Sequence, residues 1–357
     1  MNKSARHITC LFLAMLLGAW FATAADISET LLSAATAPTN EITAEEDAVM
    51  SAKEPPPIPP GYKDENEIMM AILAGKVELL SPLKPIPVPD SVIEIKDIEY
   101  GRVGDRPLQL DLYVPKEIKK PVPALIFIHG GGWSSGHRTD YKYYTVRFAA
   151  RGYVAATVSY RFVQETPFPA CVQDVKCAVR WMRANAEQYH VNPDKIAAIG
   201  GSAGGHLSLM LGYSAGVPEL EGDGGHAEYS SAVQAVVDLY GPYNLTLDLP
   251  ARDHPLLVNF FGGKRYNEVP DQYALGSPST HLDKSDPPTL VFQGTIDDLV
   301  PVGQSDLLVE DLKRLGIPSV YERYDGYPHA MDVAMRVNWR CQWMMLRFFE
   351  KYLPFDQ

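Results

Sequence analysis

Short apolar or alternating runs recur along the chain at residues 92–100, 108–114, 124–128, 153–160, 196–199, 233–239, 289–292 and 319–324. They are too short for helices and are bounded by turn residues, so each predicts a β-strand. Between them Val172, Val175, Val179, Met182 and Ala186 recur at spacings of three and four, which gives a helix one apolar face. Strand and helix alternate in this way through most of the chain. The rhythm predicts an α/β fold with a mainly parallel eight-stranded sheet and helices on both faces. There is no internal repeat.

The pattern differs before residue 91. Residues 1–24 have a basic start with Lys3 and Arg6, an apolar core over 8–21, and Ala22-Thr23-Ala24. This is the layout of a signal peptide cleaved after Ala24, and it leads to the expectation of export. A core of about 14 residues is short for a membrane span. Residues 25–90 change to acidic and small residues, then to a proline run from Glu54 to Pro60 and to Pro82, Pro85, Pro87 and Pro89. One short helical pattern, 66–80, lies between. The expectation is a proline-rich linker with a single peripheral helix, because the proline density argues against a second one. A small cap over the active site is the competing reading. The remaining residues, 91–357, are expected to form one domain.

Three stretches carry chemistry, each just after a predicted strand. G-G-S-A-G places Ser202 between a strand and a helix, where Gly200 and Gly204 leave room for a sharp turn and an exposed hydroxyl. His129 to Trp133 reads H-G-G-G-W, and consecutive glycines at a strand end let N–H groups crowd towards one point. Gly131 and Gly132, with Ala203, are the expected oxyanion donors. G-T-I-D-D-L-V-P carries Asp297 and Asp298, of which spacing from Gly294 favours Asp297, and Y-P-H-A carries His329. The chain order is serine, acid, histidine, which suits nucleophilic acyl transfer.

Together with S-Y-R at Ser159, L-Y-G-P at Leu239 and S-P-S-T-H at Ser277, these motifs resemble those of hormone-sensitive-lipase-like esterases of the α/β-hydrolase superfamily. The likeness runs from about Val92 to the C-terminus and is greatest to the feruloyl and acetyl-xylan esterase-like group. It implies Ser202 as nucleophile, His329 as general base and Asp297 as the acid that orients it. It also implies short acyl or cinnamoyl esters of plant polysaccharides as substrates. Many relatives have histidine where this chain has Gln293, a position given no catalytic weight. The same motifs serve arylformamidases and lipase-like hydrolases. Non-catalytic binding proteins of this fold usually lack the serine or histidine, and both are present here.

Other residues add detail. Trp133 and Tyr141 are expected to line the substrate pocket, with Tyr143, Tyr144, Phe260 and Phe261 as further aromatic candidates. His129 is expected to hold the glycine loop in shape, His206 to have no catalytic part, and Arg161 and Asp174 to form a structural ion pair. No metal or cofactor is needed, because the chain supplies nucleophile, base and oxyanion donors. The full chain carries a net charge of −12, which makes nucleic acid and anionic membranes poor partners. Past the leader three cysteines remain, Cys171, Cys177 and Cys341. They are expected to be buried structural thiols, with a bridge involving Cys341 left open.

Overall fold

In a computed structural model, which describes residues 42–80, 85–248 and 253–356, eight strands form one sheet in the order β1-β2-β4-β3-β5-β6-β7-β8. The strands are β1 Val92–Val103, β2 Arg106–Pro115, β3 Val122–Ile128, β4 Val154–Val158, β5 Val191–Gly201, β6 Ala235–Leu239, β7 Thr289–Gly294 and β8 Ser319–Tyr324. β2 pairs antiparallel with both β1 and β4, and every other pairing is parallel. This is the mainly parallel sheet of an α/β-hydrolase.

All seven residues of β3 are buried, as a strand covered on both faces requires. Ala124, Ile126 and Ile128 enter one core, while Leu125 and Phe127 enter the other. The helices are α1 Ala44–Ser51, α2 Glu65–Leu73, α3 Lys142–Ala150, α4 Ala170–Ala184, α5 Ala203–Tyr213, the short turns α6 Pro218–Glu221, α7 Pro255–Phe260, α8 Pro270–Leu275 and α9 Pro278–His281, then α10 Gly303–Leu315 and α11 Met335–Tyr352. Helices α4, α5 and α10 cover the first face with Val175, Leu207 and Leu308. Helices α3 and α11 cover the second with Val146 and Met345. Burying each such side chain stabilises the fold by roughly 1.5–3 kcal/mol. Among the described residues no helix is long and apolar enough to cross a membrane.

The N-terminal segment differs from the expectation of one helix. Among its described residues two helices form, α1 ahead of the prolines and α2, which starts one residue before the predicted 66–80 pattern and ends at Leu73. Helix α1 is capped by the Thr43 side chain and has Glu45, Glu46 and Asp47 in its first turn, where the helix dipole favours them. It is held by tertiary contact. Glu46 Oε1 accepts from Arg147 Nε at 2.6 Å with both side chains buried, and Met50 packs with Tyr143, Met335, Trp339 and Trp343. After the prolines the chain follows the loop beyond β8. Tyr62 N–H donates to Gly326 O, and Leu79 bridges to Ala334. The expected leader and Cys10 lie outside the described residues. Cys171, Cys177 and Cys341 are free and buried, with burial pushing each thiol up, Cys177 to about 11.

Candidate active site

The parallel strands end at a common edge, where Ile128 pairs with Gly200, Gly201 with Leu239, and Gly294 with Tyr324. The loops leaving these strands carry the candidate chemistry, as is usual for α/β sheets.

Ser202 sits between β5 and α5 with φ 56° and ψ −123°, a strained conformation for a residue with a β-carbon. The turn is tight on both sides. A β-carbon at Gly204 would lie 2.0 Å from Ile128 O, and one at Gly200 2.3 Å from Gly204 O, so glycine is required at both. The Ser202 hydroxyl donates to His329 Nε2 at 2.9 Å, and His329 Nδ1–H donates to Asp297 Oδ2 at 2.7 Å. This fixes one tautomer, with Nε2 as acceptor towards the serine. Asp297 Oδ1 accepts from the backbone N–H groups of Leu299 and Val300, at 2.9 and 2.8 Å. Its neighbour Asp298 is exposed.

The glycine loop stands across from the serine. Gly131 and Gly132 adopt φ of 105° and 58°. Gly131 O accepts from Ser134 and Ser135 N–H, which closes the loop, while the N–H groups of Gly131, Gly132 and Ala203 have no acceptor among the described residues. His129 braces this loop. Its Nδ1–H donates to Gly130 O at 2.8 Å, and its ring stacks on Tyr160 at 4.5 Å. Burial pushes the His129 pKa down to about 4, so the ring is neutral. His206 is also pushed down to about 4 by burial. It accepts from Trp133 Nε1–H at 3.3 Å and donates to Gly276 O at 2.7 Å, a packing arrangement away from the serine. Arg161 and Asp174 form a buried bidentate pair with N···O distances of 2.7–3.0 Å.

A cleft enclosing about 460 Å³ of space, part of it open to solvent, leads to Ser202. Beside Ser202 it is lined by Gly132, Trp133 and Ala203, by the apolar Leu245, Leu256, Leu257, Leu299 and Val300, and by Pro242, Asn244 and His254. Of the two residues expected to line the substrate pocket, Trp133 lines this cleft and Tyr141 does not, which corrects the placing of Tyr141. Its ring is buried under the elbow against Phe127 and Tyr144, because it opens α3 on the second face of the sheet. Phe260 packs behind Trp133 at 4.3 Å and Phe261 behind Phe260, while Tyr143 faces α1 and α11. The cleft walls are aliphatic and come mainly from the long segment after β6, which has no periodic signal.

Gln293 also has a place in the site. Its Nε2–H donates to Asp297 Oδ2 at 3.0 Å and to Val300 O at 3.0 Å, while its Oε1 accepts from Ser305 at 2.9 Å. The only sequence signal was the substitution for a histidine found in relatives.

Comparison with known proteins agrees with this architecture. A family model, BD-FAE, matches residues 110–312. Esterase LipC of Mycobacterium tuberculosis is 32% identical over 284 residues, covering 75% of this chain and 70% of that one. Among solved structures, a truncated carbohydrate esterase from gut microbiota has a TM-score of 0.62 at 28% identity, covering 72% of this chain and 99% of that one. A butyrate-bound thermophilic esterase from Thermogutta terrifontis has a TM-score of 0.63 at 27% identity, covering 73% and 96%. The chain belongs to the BD-FAE family of α/β-hydrolase esterases.

Proposed function

We propose that this carboxylesterase hydrolyses short acyl esters, acetyl to butyryl, through a Ser202-His329-Asp297 triad. The observation that carries the reading is the continuous hydrogen-bonded line from Ser202 Oγ through His329 to Asp297, with links of 2.9 and 2.7 Å. His329 Nε2 takes the proton of Ser202 as Oγ attacks the ester carbonyl, and Asp297 stabilises the imidazolium that forms. The N–H groups of Gly131, Gly132 and Ala203 receive the oxyanion. The tetrahedral species collapses as His329 returns the proton to the leaving alcohol. Water then repeats the attack on the acyl-Ser202 ester and frees the acid.

The small aliphatic cleft supports a short acyl group, and the butyrate carried by the Thermogutta relative is in keeping with it. The carbohydrate esterase neighbour supports acetyl esters of plant polysaccharides as natural substrates. Ser202→Ala is expected to lower turnover by several powers of ten in a folded protein. A phosphonylating serine reagent is expected to label Ser202 alone, read by mass spectrometry. Label on another serine, or turnover in Ser202→Ala above a few per cent of wild type, sinks the triad. Turnover of feruloyl ahead of acetyl and butyryl esters refutes the short-acyl preference.

A further inference from the structure

Behind the Ser202–His329 pair three elements converge on Tyr240, the residue after β6. Its ring stands edge-on to the His329 imidazole, with centroids 4.8 Å apart and planes at 65°. Its hydroxyl donates to Asp332 Oδ1 at 2.5 Å, and Asp332 Oδ2 accepts from the Tyr144 hydroxyl at 2.9 Å. On the elbow side, a β-carbon at Gly201 would lie 2.8 Å from the Tyr240 hydroxyl and 2.2 Å from that of Tyr141. Tyr240 and Asp332 are both buried, and Tyr240 adopts φ 47°, uncommon for a large side chain. The acyl-transfer steps use neither residue.

We propose that Tyr240, anchored by Asp332, is a positioning residue that wedges between the serine turn and the His329 loop and sets the angle of the imidazole. The two hydrogen bonds of His329 act only on its nitrogens, so the tilt of the ring still varies with the position of the loop that carries its β-carbon. An edge contact from a fixed aromatic ring removes that freedom. Asp332 lies three residues after His329, so its bond to Tyr240 also ties down the loop that carries the histidine. Asn338 Nδ2–H holds Asp332 O at 3.0 Å from the other side.

The inference rests on Ser202 and His329 acting together, so Ser202→Ala is assayed alongside. Tyr240→Phe, Tyr240→Leu, Asp332→Asn and the double variant Tyr240→Phe/Asp332→Asn are compared for kcat and KM on p-nitrophenyl butyrate, rate of Ser202 phosphonylation, and Tm. Tyr240→Phe keeps the ring and loses the anchor; kcat is expected to fall about tenfold with KM nearly unchanged, and phosphonylation to slow in step. Tyr240→Leu should lose about a hundredfold. Adding Asp332→Asn to Tyr240→Phe should cost little more, because the carboxylate acts through the hydroxyl. If the leucine variant does not fold, the near-isosteric phenylalanine variant decides. Wild-type kcat and labelling in folded Tyr240→Phe overturn the inference, as do fully additive losses in the double variant. Activity in Ser202→Ala overturns the triad instead.

Discussion

Gln293 Nε2 and His329 Nδ1 both donate to the same oxygen, Asp297 Oδ2, at 3.0 and 2.7 Å. Gln293 thus holds the carboxylate from the sheet side while the imidazole meets it from the cleft. Gln293→Leu leaves Val300 O and the Ser305 hydroxyl without this buried partner, and it is expected to cost about 1–3 kcal/mol of stability by urea denaturation. Because Leu299 and Val300 N–H still hold Oδ1, kcat should fall by no more than about tenfold. Gln293→His, which can still donate to Asp297, should retain most of the activity. A leucine variant with unchanged stability and kcat would remove this role.

Adjacent aspartates give a direct comparison. Asp297 is buried with both oxygens bonded, whereas Asp298 is exposed. Asp297→Asn offers His329 an amide that can present N–H where an acceptor is needed, and kcat should drop about 10⁴-fold. Asp298→Asn should stay within a few-fold of wild type. A larger loss at Asp298 reverses the assignment.

Leu256 packs over the glycine loop so closely that a β-carbon at Gly132 would come within 2.9 Å of its Cδ2. With Leu245 and Val300 it bounds the cleft. A buried methylene contributes about 0.8 kcal/mol, but only where there is a wall to receive it. Specificity constants for p-nitrophenyl esters are therefore expected to fall beyond about six carbons. Leu256→Ala should move the optimum up by roughly one or two carbons. A chain-length series that keeps rising to twelve carbons in the wild type would reveal a long acyl channel.

The ion pair between Glu46 and Arg147 joins α1 to α3 with both side chains buried, and the guanidinium also lies over the Tyr143 ring at 3.3 Å. Glu46→Ala leaves that guanidinium without its carboxylate and is expected to destabilise the protein by about 3–5 kcal/mol. Urea denaturation at neutral pH measures this. A change under about 0.5 kcal/mol would mean that α1 is a dispensable tether.

Local pattern was enough for the sheet, because a strand covered on both faces must be a short apolar run, and such runs survive as β3, β5 and β7. It was also enough to bring Ser202, Asp297 and His329 to one edge, since each follows a parallel strand and such strands end together. The limits of sequence reading appear where a side chain's partner is distant along the chain. Tyr141 sits in an aromatic cluster that suits a pocket wall, yet the face of the sheet taken by α3 sends it beneath the elbow. The cleft residues Leu245 and Val300 come from loops and Leu256 from the six-residue helix α7, all too short for a period to read. Helix α1 is only eight residues long and has little stability of its own. It depends on Arg147, about a hundred residues away, and on α11 near the C-terminus. Gln293 and Tyr240 likewise gain their parts only from what the folded chain places against them. Periodicity sets which way a residue points within its own element, but packing decides what it meets there.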